Sequence, residues 1–157
     1  MDIKLDHIDL SILKALQIDA ALSQRDLADR LGLSQNACWR RVRRLKQAGV
    51  LRAPAARVDA AALGLDLAVF MLVRTRHHDA AWAARFRSRV ESLPEVMELH
   101  RIGGEWDYLI KVLTTGMRGY DRVYQRLIED LDIEKVTGLF SMEQILTDRP
   151  VAVPQGR

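Results

Sequence analysis

Four arginines stand within five positions, at Arg40, Arg41, Arg43 and Arg44. Guanidinium groups are rigid, permanently charged, bidentate donors suited to phosphate oxygens or to the O6/N7 edge of guanine. Gln35 and Asn36, just upstream, carry the donor–acceptor pair that matches adenine. Ser34 can cap a helix through its hydroxyl, at an end where free amides also accommodate a phosphate. Trp39 lies among these residues, and both packing against a neighbouring element and contact with a nucleic acid fit its chemistry. No acidic residue occurs between Asp29 and Asp59, an interval that holds Arg30, Arg40, Arg41, Arg43, Arg44, Lys46, Arg52 and Arg57. A solvated face normally mixes signs, so eight positive charges with no acidic residue interspersed among them favour a polyanion, nucleic acid first and an anionic membrane second.

The remaining reactive side chains are sparse. Cys38 is the only cysteine, so no internal disulfide is possible, and His7, His77, His78 and His100 show no zinc-ligand spacing. His77 and His78 fall in an expected strand-to-helix loop, where solvent exposure is the ordinary outcome. Neither a nucleophile–base pair nor a phosphate-cradling glycine loop is visible, and no metal or cofactor is expected. The longest apolar run, Leu67 to Val73, is far short of the roughly 20 residues that span a bilayer. Met1-Asp2-Ile3-Lys4-Leu5-Asp6 has neither the basic start nor the apolar core of an export signal, which gives the expectation of a cytoplasmic protein.

These residues need elements to carry them, and 157 residues with 48% hydrophobic and 29% charged positions suffice for one domain or two small ones. Residues 1–60 carry eleven Lys/Arg against seven Asp/Glu, and residues 61–157 thirteen against fourteen, so the two parts differ in charge. Leu5, Ile8, Ile12, Leu13 and Leu16 recur at helical spacing. Ser23 with Asp26 begins a short second helix that Gly32 stops, and Ser34 begins a third that runs to about Ala48 and is stopped by Gly49. At about 100° per residue, Cys38, Val42 and Leu45 share one arc of this third helix. Asn36, Arg40 and Arg43 fall opposite them, with Trp39 and Arg44 on the flanks. A capped helix, a tight glycine turn and a basic second helix constitute a helix-turn-helix, whose second helix enters the DNA major groove. Val50 to Asp59 is apolar enough for a short strand, with Pro54 confining it to an edge or a bend.

Beyond residue 60 the periodicity changes. Strand signals at Leu67–Thr75, Val96–Ile102, Trp106–Leu113 and Val136–Thr147 alternate with helical patterns at Ala80–Leu93 and Tyr120–Leu131, and Gly103-Gly104-Glu105 joins the middle pair as a hairpin. The order β-α-β-β-α-β predicts a ferredoxin-like antiparallel sheet with both helices on one face. The whole chain is thus α+β: a helix-turn-helix domain with a hinge strand at residues 1–60 and a second domain at 61–157. Leu67, Val69, Met71 and Val73 alternate with Ala68, Phe70 and Leu72, so both sheet faces are apolar. One face packs on helices and the other calls for a second subunit, which predicts a homodimer.

Leu5-Asp6-His7-Ile8-Asp9 with Ile12-Leu13, then Leu27-Ala28, Leu31-Gly32-Leu33-Ser34, Cys38-Trp39-Arg40-Arg41-Val42, Leu45 and Ala48-Gly49-Val50 resemble the winged helix-turn-helix half of the Lrp/AsnC transcription regulators. Leu63-Gly64, Pro94-Glu95-Val96 and Gly104-Glu105-Trp106-Asp107-Tyr108-Leu109 are similar to that family's effector-binding half, the RAM domain. Arg52-Ala53-Pro54 departs from the glycine and aromatic residue that many members carry there, which bears on the hinge strand. His77-His78 with Trp82, and Phe140-Ser141-Met142-Glu143-Gln144-Ile145, resemble a branch that includes cysteine-responsive regulators. The resemblance implies a sequence-specific regulator whose DNA affinity or assembly responds to a small amino-acid effector. It further implies dimers that assemble into tetramers or octamers, and an effector site using Gly104, Asp107, Leu139, Phe140 and Ser141. There a carboxylate holds an α-ammonium and glycine opens the backbone to the ligand, although Gly103-Gly104 can simply permit a hairpin and Asp107 can cap a turn. Two alternatives share the architecture: an enzyme of the siroheme-decarboxylase kind, and an amino-acid sensor without DNA binding.

Overall fold

The computed structural model describes residues 3–154. Two compact units divide the chain: one comprises residues 1–57 with the segment from Leu146 onward, the other Val58–Ile145.

In the first unit, α1 (His7–Ile18), α2 (Gln24–Arg30) and α3 (Gln35–Gln47) each begin at a side-chain cap. Asp6 accepts from Asp9 N–H at 2.9 Å while the Asp9 carboxylate accepts from Asp6 N–H at 3.1 Å, a reciprocal box that satisfies two otherwise free donors. Ser23 accepts from Asp26 N–H at 3.1 Å, and Ser34 from Ala37 N–H at 3.3 Å. Both α2 and α3 end in the same motif. Leu33 N–H donates to Ala28 O and Gly32 N–H to Asp29 O after α2; Val50 N–H donates to Leu45 O and Gly49 N–H to Lys46 O after α3. The pattern requires a left-handed residue, and Gly32 (φ 65°) and Gly49 (φ 71°) supply it without a Cβ penalty. Ile12, Ala15, Leu27, Ala28, Cys38, Val42 and Leu45 form the core that these stops allow the helices to share.

One expectation for this region changes. Residues 50–59 form no strand: Pro54 lacks an N–H, and among the described residues the unit has no strand for the segment to pair with. The segment from Leu146 onward groups with the first unit. The Gln17 side-chain amide donates to Val151 O at 3.1 Å and accepts from Val151 N–H at 2.6 Å, and Arg57 donates to Asp148 O at 3.4 Å.

The second unit contains β1 (Leu67–Arg74), α4 (Ala80–Glu91), β2 (Val96–Arg101), β3 (Tyr108–Thr114), α5 (Gly116–Ile128) and β4 (Lys135–Phe140). The strands form one antiparallel sheet in the order β2-β3-β1-β4. Val69, Met71 and Val73 of β1 and Ile110 and Val112 of β3 point to one face, where they bury Trp82, Phe86 and Val90 of α4 and Val123 and Leu127 of α5. Phe70, Leu72, Leu109, Leu113 and Leu139 lie on the opposite face by register. The last strand stops at Phe140 rather than Thr147, since Ser141 N–H to Ala68 O at 2.9 Å is its final bond to β1. The second helix of this unit begins at Gly116, earlier than the Tyr120 start the apolar pattern indicates, where Asp66 accepts from Gly116 N–H at 3.0 Å. Among the described residues no helix is long and apolar enough to cross a membrane.

Candidate functional site

Helix α3 turns Cys38, Val42 and Leu45 inward, while Ser34, Gln35, Asn36, Trp39, Arg40, Arg43 and Arg44 are exposed. Its outward stripe is therefore Asn36, Arg40 and Arg43, bordered by Trp39 on one side and Arg44 on the other. Trp39 does not pack into the core: it is 41% exposed, and the Arg43 guanidinium lies 5.1 Å from its ring centroid. A guanidinium over an indole face is held by the ring quadrupole, so Arg43 is displayed in a restricted orientation.

The other two arginines are engaged differently. Arg41 Nη1 donates to Asp6 Oδ2 at 2.7 Å and Asp9 Oδ1 at 2.9 Å, and Arg44 Nη2 donates to Asp9 Oδ2. Asp9 is completely buried. Its two oxygens receive the Asp6 amide and both guanidiniums, which is how a carboxylate survives removal from water. The Asp9 amide and then Arg41 hold the Asp6 carboxyl well below the usual carboxylate range, and Asp6 followed by Asp9 pushes the Arg41 pKa up. The eight positive charges between Asp29 and Asp59 thus include two, Arg41 and Arg44, that have carboxylate partners in space. Asp9 is a residue that sequence reasoning passed over; its position one turn into a helix opening Asp6-His7-Ile8-Asp9 is the signal for the capping box, but not for the ion pairs.

In the second unit, Gly104 and Asp107 line a cavity of about 480 Å³ with Arg74, Thr75, Arg76, His78, Glu105 and Glu134. Asp107 Oδ2 accepts from Thr75 N–H at 2.8 Å, so this carboxylate pins the β1–α4 loop rather than capping its own turn. Its other oxygen faces His78 Nδ1 at 4.0 Å. Gly104 adopts φ 116°, a conformation open only to glycine, and no atom lies within 4 Å of where its Cβ would stand. Arg74 and Arg76 approach Glu134 at 3.4 and 3.6 Å. The cavity therefore offers both signs of charge, as a zwitterion requires.

Leu139, Phe140 and Ser141 are not part of that cavity. Phe140 pairs with Val69 and Ser141 with Ala68, whereas Asp107 N–H bonds Val73 O, near the other end of β1. Leu139 and Phe140 also face opposite sides of the sheet, Phe140 meeting the Tyr120 ring edge-on at 5.1 Å. His77 is bound to Asp132 at 2.6 Å and stacks on Trp82. Among the described residues no group of three or more His, Cys, Asp or Glu is placed to hold a metal.

A helix-turn-helix presenting Asn36, Arg40 and Arg43, followed in the chain by a βαββαβ unit with a polar cavity, defines a DNA-binding regulator with a ligand-binding half. Residues 5–52 match the winged helix-turn-helix DNA-binding family, and residues 68–151 match the Lrp/AsnC ligand binding domain. The chain belongs to the Lrp/AsnC family of transcriptional regulators. It is 36% identical to the glutamate uptake regulatory protein of Zymomonas mobilis over 97% of this chain and 93% of that one. It is 40% identical to the DNA-binding transcriptional activator DecR of Escherichia coli over 90% of this chain and 93% of the other. An AsnC family regulator from Agrobacterium tumefaciens superposes with a TM-score of 0.88 at 37% identity, covering 96% of this chain and 97% of that one. A transcriptional regulator from Neisseria meningitidis, crystallised with L-Met, also gives 0.88 at 28% identity, covering 95% and 97%. With regulators across both units, the chain is a transcriptional regulator and not an enzyme, and the decarboxylase alternative has no support among these relatives.

Proposed function

We propose that the protein acts in the cytoplasm as a homodimer that reads pseudo-palindromic duplex DNA through α3 of each copy, and that a small amino acid shifts its DNA affinity or its assembly. The observation that carries the DNA reading is the exposed Asn36–Arg40–Arg43 stripe beside the Trp39-stacked guanidinium. Arg40 and Arg43 meet base edges or phosphates, Gln35 and Asn36 reach bases, and Ser34 stands at the helix end nearest the backbone. Two copies of α3 have to meet major grooves about 34–36 Å apart. The sheet face that carries Phe70, Leu72, Leu109, Leu113 and Leu139, with Lys111 and Thr137 among them, supports dimerisation, with tetramers or octamers built from dimers. Fluorescence anisotropy on labelled duplex at two salt concentrations tests the reading. Binding is expected to weaken steeply as salt rises, and a chain with no affinity for any duplex would be a sensor only.

The effector reading rests on the two-signed cavity around Gly104 and Asp107. Asp107 takes the ammonium with the oxygen not used by Thr75, and amides near Gly104 take the carboxylate. Because Leu139 to Ser141 lie toward the far end of the strands, their participation requires a second copy to bring them to this cavity. Cysteine and methionine are the first candidates. Calorimetric titration of the amino acids against wild type and Asp107→Asn, which keeps an acceptor for Thr75 N–H, is expected to show binding lost in the variant. Coupling to DNA is expected to be about 1–3 kcal/mol, roughly 5- to 150-fold in affinity; equal binding by both proteins would make the carboxylate purely structural.

A further inference from the structure

The four arginines of α3 are not equivalent, and the difference originates on another helix. Among the described residues Arg40 and Arg43 form no ion pair, whereas Arg41 and Arg44 share the buried carboxylate of Asp9. Taking the DNA-facing role of α3 as given, we infer that Asp9 is a positioning residue for DNA binding: it holds Arg44 for a phosphate contact at the edge of the groove and withdraws Arg41 from DNA.

Donor counting and helix geometry separate the two. Arg41 spends one nitrogen on both Asp6 and Asp9, and its side chain is 28% exposed. It points about 140° away from the centre of the Asn36–Arg40–Arg43 stripe at the α-helical repeat. Pulling it toward a phosphate takes the guanidinium away from Oδ1 of the buried Asp9, a costly outcome. Arg44 uses a single nitrogen, its side chain is 48% exposed, and it lies about 80° from the stripe, on the flank that faces the rim of a groove rather than its floor. A guanidinium has five donors in a rigid fork, so Arg44 can keep Asp9 on one side and engage a phosphate with the other. Asp9 therefore spends its charge fixing a direction, and the electrostatic footprint on DNA is smaller than the arginine count suggests.

The test uses the full chain, a duplex enriched by the wild type from a random pool, and an unrelated duplex of equal length. Arg44→Gln is expected to weaken both duplexes and to lower the slope of log affinity against log salt by about 1. Arg41→Gln is expected to leave that slope unchanged while lowering the melting temperature. Asp9→Asn, with Arg44 charged but no longer aimed, is expected to keep or gain affinity for the unrelated duplex and lose roughly ten- to a hundredfold on the enriched one, the scale of one charge-assisted hydrogen bond. Arg44→Lys supplies the same information if Asp9→Asn does not fold, because the charge and slope persist while enriched-duplex affinity falls. An unchanged slope in Arg44→Gln, an equal slope loss in Arg41→Gln, or proportional loss on both duplexes in Asp9→Asn or Arg44→Lys overturns the inference. Failure of the wild type to enrich any duplex overturns instead the DNA reading on which it rests.

Discussion

At the scale of single residues, the surface of α3 separates side chains that hold the unit together from those left for a partner. Arg40→Ala and Arg43→Ala remove exposed guanidiniums that form no ion pair among the described residues, so each is expected to leave the melting temperature nearly unchanged. Each is also expected to lower DNA affinity, by about 1–3 kcal/mol for a base-edge contact and equally across sequences for a phosphate contact. Competition binding with scrambled duplexes distinguishes the two, and a sharp fall in melting temperature would mean that the exposed face is misassigned. Asp6 gives a pH dependence. Its folded-state pKa lies below the ordinary Asp value, so its contribution is complete above that value and disappears as pH falls through the folded one. In thermal melts taken from about pH 6 down to about pH 2, spanning the ordinary Asp pKa, Asp6→Asn is expected to be less stable than wild type at the upper end, by a margin that narrows toward the acid end. A constant difference throughout would show that the charge on Asp6 is immaterial.

At the scale of elements, residues with a local role were readable and residues with a distant partner were not. Ser23, Ser34, Gly32 and Gly49 act within a few positions of themselves, so their types and spacing alone locate the helices and the turn. The β-α-β-β-α-β order was equally legible from alternation and helical period. Asp9, by contrast, meets Arg41 and Arg44 from more than thirty residues away, and nothing in its neighbourhood announces that. The hinge strand and the extension of β4 to Thr147 were over-read for the same reason, since β propensity says nothing about whether a pairing edge exists. Gly119 is a comparable case inside α5. Replacing helical Gly with Ala normally stabilises by about 0.5–1 kcal/mol, but here the added Cβ would stand 2.2 Å from Thr114 Oγ1. Overpacking of that kind costs about 1–3 kcal/mol, so Gly119→Ala is expected to be destabilising in thermal melts. Combining it with Thr114→Ala removes the 2.2 Å contact and leaves Thr115 Oγ1 at 3.1 Å, so the cost of the glycine substitution should fall; an unchanged cost there would place the obstacle elsewhere.

At the scale of the whole molecule, the proposed dimer rests on the sheet face opposite α4 and α5. Leu139 is 49% exposed and pairs with Phe70 across β1 and β4, so a charge at this position costs the isolated chain little and a sheet-to-sheet dimer a great deal. Leu139→Asp is expected to remain folded by circular dichroism and to run as a monomer in light scattering at micromolar concentration. A dimer of unchanged stability would move the subunit contact to another surface. The bond between the Gln17 amide and Val151 bears on how the molecule is made. During synthesis α1 to α3 emerge first, residues 58–145 follow, and only then does the segment bearing Val151 become available to return to α1. The first unit therefore cannot complete its contacts until residues 58–145 have been synthesised, so its last increment of stability reports that the ribosome has delivered everything in between.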